Sequence, residues 1–188
     1  MLRSLLSRFR KPDDPYEAFY LNQAPADPRN LIVNRMREAP EGSVFAVQAE
    51  THTPEVMTSH VKELGRFFGA DRTYIAEASK LNLPDGAPGL PYAVFCLFRS
   101  EHDPREAPGV GGHVGALKGA FATFQISAII REYGFQATRW TQDLDTLASA
   151  AGMGSLDARG RLDAPRFGTK VHIADVILTD LPVAMDAL

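Results

Sequence analysis

The run Tyr92-Ala-Val-Phe-Cys-Leu-Phe98, between Pro91 and Arg99, holds seven consecutive apolar side chains. A strand of that kind has no polar face, so it must be covered on both sides, as in a layered domain with helices packed on a sheet. A chain of 188 residues has material for one such domain. It buries roughly 70% of the surface its unfolded form exposes, enough to dispense with disulfides and structural metals. The single cysteine, Cys96, lies inside the same run and reads as a core thiol. One cysteine excludes an internal disulfide and any multi-cysteine zinc or iron–sulfur site. His52, His60, His102, His113 and His172 show no ligand spacing, so no metal site is expected. A net charge of −3 gives no reason to expect nucleic acid as a partner.

Around this run the pattern alternates between strand and helix. Ser43–Glu50 (SVFAVQAE) reads as a strand. Thr53 caps a following helix with Pro54 in its first turn, an inward stripe of Met57, Val61, Leu64 and Phe68, and Gly69 as its stop. Thr73–Ser79 predicts a short strand. The glycines from Gly109 to Gly115 read as a lid or cofactor edge; they lack the Gly-Lys-Ser/Thr of a phosphate loop. The longest helical pattern runs from about His113 to Tyr133, is apolar around much of its circumference and ends at Gly134. Phe135–Trp140 is a predicted strand, Thr141 caps a short helix stopped at Gly152, and Val171–Asp180 is a β-branched strand.

The start of the chain stands apart. Leu2, Leu5, Leu6 and Phe9 share one helical face beside Arg3, Arg8, Arg10 and Lys11, and residues 12–30 carry four of the thirteen prolines. Residues 1–30 therefore read as an amphipathic segment and extended arm, and 31–188 as the domain. The segment is too short to span a membrane, which takes ~20 apolar residues. The expectation is an arm docked on its own or a sister subunit of a cytoplasmic homodimer. Peripheral contact of residues 1–11 with an anionic membrane is the alternative.

The last third carries a resemblance. Residues 147–183 contain, in order, Ala151-Gly-Met-Gly154, Arg159, Pro165, Phe167-Gly168 and Thr179-Asp-Leu-Pro182. This resembles the cobalamin-binding core of the reductive dehalogenase and epoxyqueuosine reductase families, and Ile129–Trp140 extends the likeness upstream. The resemblance implies a nitroreductase-like α+β fold, with a central, mostly antiparallel sheet flanked by helices. It also implies a cobalamin held largely by backbone. Its site residues would be Gly152, Met153, Gly154, Ser155, Arg159, Phe167, Gly168, Thr179 and Asp180, with Lys170 a second cation for a phosphate or propionamide. FMN is the alternative cofactor on such a fold.

The departures set limits. Those families carry cysteines for two iron–sulfur clusters downstream, whereas this sequence ends at Leu188 with one cysteine. Asp157 and Ala158 stand where the families have Gly followed by Lys or Arg. No catalytic residue is carried over, and Asp143 and Asp145 read as helix N-terminal charges. His113 is the best candidate for a lower cobalt ligand, against the plainer role of a helix-entry histidine; Tyr133 and Trp140 either line a planar cofactor or fill the core. The implied functions are a reductive protein supplied by a separate electron-donor protein, a non-catalytic cofactor-binding or subunit module of the same fold, or a flavin-dependent nitroreductase-like enzyme.

Overall fold

The structure, a computed structural model, describes residues 27–100 and 110–186. Its elements are α1 (Asp27–Glu38), α2 (Pro54–Phe67), β1 (Arg72–Glu77), a 3-10 turn (Ala78–Lys80), β2 (Tyr92–Arg99), α3 (Val110–Glu132), β3 (Ala137–Trp140), α4 (Leu144–Ala150), β4 (Ser155–Leu156), β5 (Leu162–Asp163), β6 (Val171–Ile173) and β7 (Val176–Thr179). This is the expected α+β class. β2 is the hub of the main sheet: β1 pairs with one edge, β6 and β7 with the other, and β3 lies beyond β7, every pairing antiparallel.

The apolar run dictates the layers. All six residues from Ala93 to Phe98 are at most 1% exposed. Val94, Cys96 and Phe98 meet Met57 and Val61 of α2 and Ile126 and Ile130 of α3. Ala93, Phe95 and Leu97 meet Leu147 of α4, Met153 and Leu162 on the other face. Each large side chain so buried stabilises the fold by ~1.5–3 kcal/mol. Burial also pushes the Cys96 thiol up to about 12, as befits an inert core group.

The last strand is broken. Leu97 faces Ile173 and Val94 faces Ile177, so three steps along β2 match four along β6 and β7. The extra residue makes a bulge at Ala174–Asp175. Both outer strands are closed by carboxylates: Asp186 exchanges hydrogen bonds with the Ile75 backbone, and Glu41 accepts from the Arg139 amide at 3.0 Å.

Several sequence expectations are corrected. Ser43–Glu50 forms no strand. It is an exposed extended strap whose Phe45 and Ala49 amides donate to the Arg131 and Tyr133 carbonyls at the end of α3. It crosses Gly134, where a Cβ would stand 2.6 Å from the Gln48 Cα. Strand-forming side chains lacked a neighbouring strand to pair with, and β propensity depends on one. Residues 27–30 open α1 instead of continuing an arm; residues 1–26 lie outside those described, as do 101–109, Gly109 of the expected lid among them. Gly111, Gly112 and Gly115 fall inside α3, and the N-cap of α4 is Asp143 (φ 51°), not Thr141.

Candidate functional site

The stretch from Ala148 to Gly154 is built from its backbone outward. Gly152 (φ 79°) follows the end of α4; its amide donates to the Ser149 carbonyl, and the Met153 amide donates to Ala148 at 3.0 Å. That pair of bonds is a Schellman cap, which requires a left-handed residue where Gly152 stands. Met153 then drops into the core at 1% exposure, beside Ala148. Gly154 has a separate reason: a Cβ there would collide with the Asp163 carbonyl on the facing β5 strand. Its own carbonyl accepts from the Ser149 hydroxyl at 3.1 Å. Both glycines are thus required by chain geometry.

The neighbouring hairpin is similarly self-satisfied. Asp157 accepts from the Arg159 and Arg161 amides and from Arg161 Nε at 3.1 Å. Those bonds, led by the Arg161 amide, hold its carboxyl below the usual range. Asp145 accepts from the Leu162 amide and ties α4 to β5. Ser155 and the Arg159 and Arg166 side chains are exposed.

The remaining candidates are spread along the sheet. Thr179 lies on the row Glu77–Tyr92–Thr179–Ala137 at one end. Its buried hydroxyl donates to the Gln136 carbonyl at 2.6 Å and accepts from the Leu181 amide. Asp180 accepts from the Gln136 amide at 2.7 Å. Phe167 lies under the Arg99 guanidinium, 5.6 Å away, near the opposite end of β2. Tyr92 and Arg99 are seven steps apart, roughly 23 Å of strand. Gly152, Met153, Gly154 and Ser155 are therefore together, with Arg159 on the adjoining hairpin; Thr179 with Asp180 and Phe167 with Gly168 form two further places. Tyr133 packs with the α2/α3 face and Trp140 with the α4 face, so the sheet separates them. His113 stands in the first turn of α3.

Beside the glycine turn the structure forms a cavity of about 230 Å³ that the sequence did not reveal. Ala150 and Ala151 leave its space, Tyr74, Ala76 and Leu81 form an apolar floor, and Lys80 joins the lining. Burial, and then the nearby Asp186 carboxylate, raise the Tyr74 phenol, so it stays protonated. The only sequence signal was a pair of alanines where larger core residues would fit.

No family model matches the sequence, and no curated protein matches it. Solved structures do. A B12-dependent reductive dehalogenase superposes on 94% of this chain at 20% identity and a TM-score of 0.63. A catabolic reductive dehalogenase in complex with 3-bromo-4-hydroxybenzoic acid gives 19% identity and 0.64 over the same share. The fold is that of the reductive dehalogenases. This chain spans 26% of the length of both. An epoxyqueuosine reductase bound to a tRNA stem loop superposes more loosely, on 70% of this chain and 47% of its own at 12% identity and a TM-score of 0.48.

On this dehalogenase fold, the residues suit a cofactor laid against the outside of the turn and not one enclosed by it. Pockets that enclose a ligand of drug size measure about 300–1,000 Å³, more than the cavity here. The outer surface offers the exposed Gly152 and Ser155 backbone and Arg159, with Gly160 open to close approach. Arg159 would meet an anionic tail of the cofactor.

Proposed function

We propose that this protein is a reductive dehalogenase-like cofactor-binding domain, seating a cobalamin on the open surface beside the α4 cap and drawing electrons from a separate protein. The observation that carries this reading is the superposition of dehalogenase structures over 94% of the chain, joined to an open cavity and an exposed arginine near the glycine turn. A bound corrin would supply a low-valent metal for reduction. The chain's own residues would hold its edge: Ala150 and Ala151 leave room for a side arm, and Arg159 pairs with the phosphate of the nucleotide tail. Cys96 is buried in the core and takes no part in this site.

A second reading, a subunit that keeps the scaffold without the cofactor, is favoured by one observation: the Gly152 and Met153 amides are already engaged by α4. Titration of the purified protein with hydroxocobalamin and, separately, FMN distinguishes the readings. The first requires corrin absorbance that co-elutes with protein, and weakens several-fold in Arg159→Glu. Co-elution of flavin alone would replace the corrin with FMN. Elution free of both chromophores leaves the scaffold reading.

A further inference from the structure

Arg131 of α3 and Arg139 of β3 approach a single carboxylate. Arg131 Nη1 meets Glu41 Oε2 at 2.5 Å, and Arg139 Nε and its backbone amide reach Oε1 at 2.8 and 3.0 Å. Their side chains are only 5% and 2% exposed. We infer that this arginine pair is a binding site for a small carboxylate with an apolar tail, occupied from within the chain by Glu41.

Both guanidiniums are positioned by groups other than Glu41. Arg131 also donates to the Ala137 carbonyl at 2.9 Å. Arg139 lies 4.9 Å from the centre of the Phe124 ring and donates to the Met36 and Ala39 carbonyls at the end of α1. The donors therefore keep their aim when the carboxylate leaves. Glu41 belongs to the extended connection between α1 and α2, so its departure disrupts no core element. Two planar donors on separate rigid elements suit a carboxylate better than a point charge would.

The tail has a place to lie. A groove of about 320 Å³ is lined by Ile32, Arg35, Met36, Ala39 and Phe124. Ile32, Arg35 and Met36 recur at i, i+3 and i+4 on one face of α1, with Ala39 just past its end, and three of the lining residues are those that hold Arg139. Arg35 adds positive charge and pairs with Glu38 at 3.4 Å across the surface. A volume of this size lies within the usual range for small-ligand sites. The groove lies on the α3 side of the sheet, away from the glycine turn, so it stands or falls independently of the proposed cofactor.

Titration of the full chain with hexanoate, acetate and chloride at equal ionic strength tests the site. In the wild-type protein hexanoate competes with Glu41 and produces a saturable change in the NMR signals of the Phe124 ring and the Arg139 amide; acetate does so more weakly and chloride not at all. Glu41→Gln lowers the melting midpoint by several degrees, and hexanoate restores at least half of that loss. Phe124→Ala removes the preference of hexanoate over acetate. If Glu41→Gln fails to fold, the wild-type titration decides alone. Hexanoate indistinguishable from chloride overturns the proposal and leaves Glu41 a permanent clamp.

Discussion

The glycine turn after α4 and the bulge between β6 and β7 invert what their compositions suggest. Gly152 and Gly154 look like a loop made for a ligand, yet their geometry serves the chain itself: one permits a helix cap, the other a close strand crossing. The bulge looks like ordinary strand, Val-His-Ile-Ala-Asp-Val-Ile. It nevertheless holds Asp175 at zero exposure, with Oδ1 paired to Arg37 Nε at 2.8 Å and Oδ2 without a partner among the described residues. In the same stretch, His172 Nε2 is also sealed and has no hydrogen-bond partner among them. Glycine content reports which backbone conformations a segment needs. Whether polar groups are left over depends on distant elements, here α1 and α3.

The comparison breaks most readily at Gly154. A valine there must displace the β5 backbone, so Gly154→Val is expected to cost roughly 3 kcal/mol in denaturant unfolding, the upper range for overpacking. An unchanged midpoint would mean the turn is slack enough to admit a ligand. At the bulge, Arg37→Met leaves the buried carboxylate without its cation, a loss of about 2–3 kcal/mol at pH 7, discounted because Arg37 is partly exposed. Burial already raises the Asp175 carboxyl, against the pull of Arg37 and Arg139. Its native value lies above the unfolded one, so its contribution favours the fold at low pH and declines as pH rises. The Arg37→Met penalty must therefore shrink on acidification; a penalty independent of pH would separate Arg37 from Asp175.

Gly152→Ala forces a side chain into a left-handed residue and is expected to cost about 1 kcal/mol. Its cobalamin affinity should match wild type if the amides serve only the cap. A further effect is a pH slope. Burial, with Arg37 adding to it, pushes the His172 imidazole down to about 4. Between about 4 and the unfolded value near 6.5 the unfolded chain binds a proton that the native state refuses, so stability falls as pH drops through that window. His172→Gln should flatten that part of the wild-type curve; parallel curves would mean the imidazole is reached by solvent.

Legibility in the sequence followed the range of the forces involved. β2, α2, α3 and the stop at Gly152 were readable because apolar periodicity and glycine caps act within a few residues. α1 was not: among its side chains described from residue 32 on, Val33 is the buried apolar one, and the helix is tied by Arg37 and by Arg139 reaching from β3. The strand expected at Ser43–Glu50 failed for want of a neighbour, and the bulge register is set by pairing with β2. Of the candidate site, the resemblance brought out the glycine turn and Arg159. The cavity beside it depends on Tyr74 and Lys80, some seventy residues earlier, which no local motif connects to α4.

Carboxylates closing both outermost strands have a consequence for behaviour in concentrated solution. A foreign chain attempting to extend the sheet would find the Ile75 and Arg139 amides already engaged, and anionic groups standing in its path. Lateral growth into fibrils is thereby discouraged where these two acids stand.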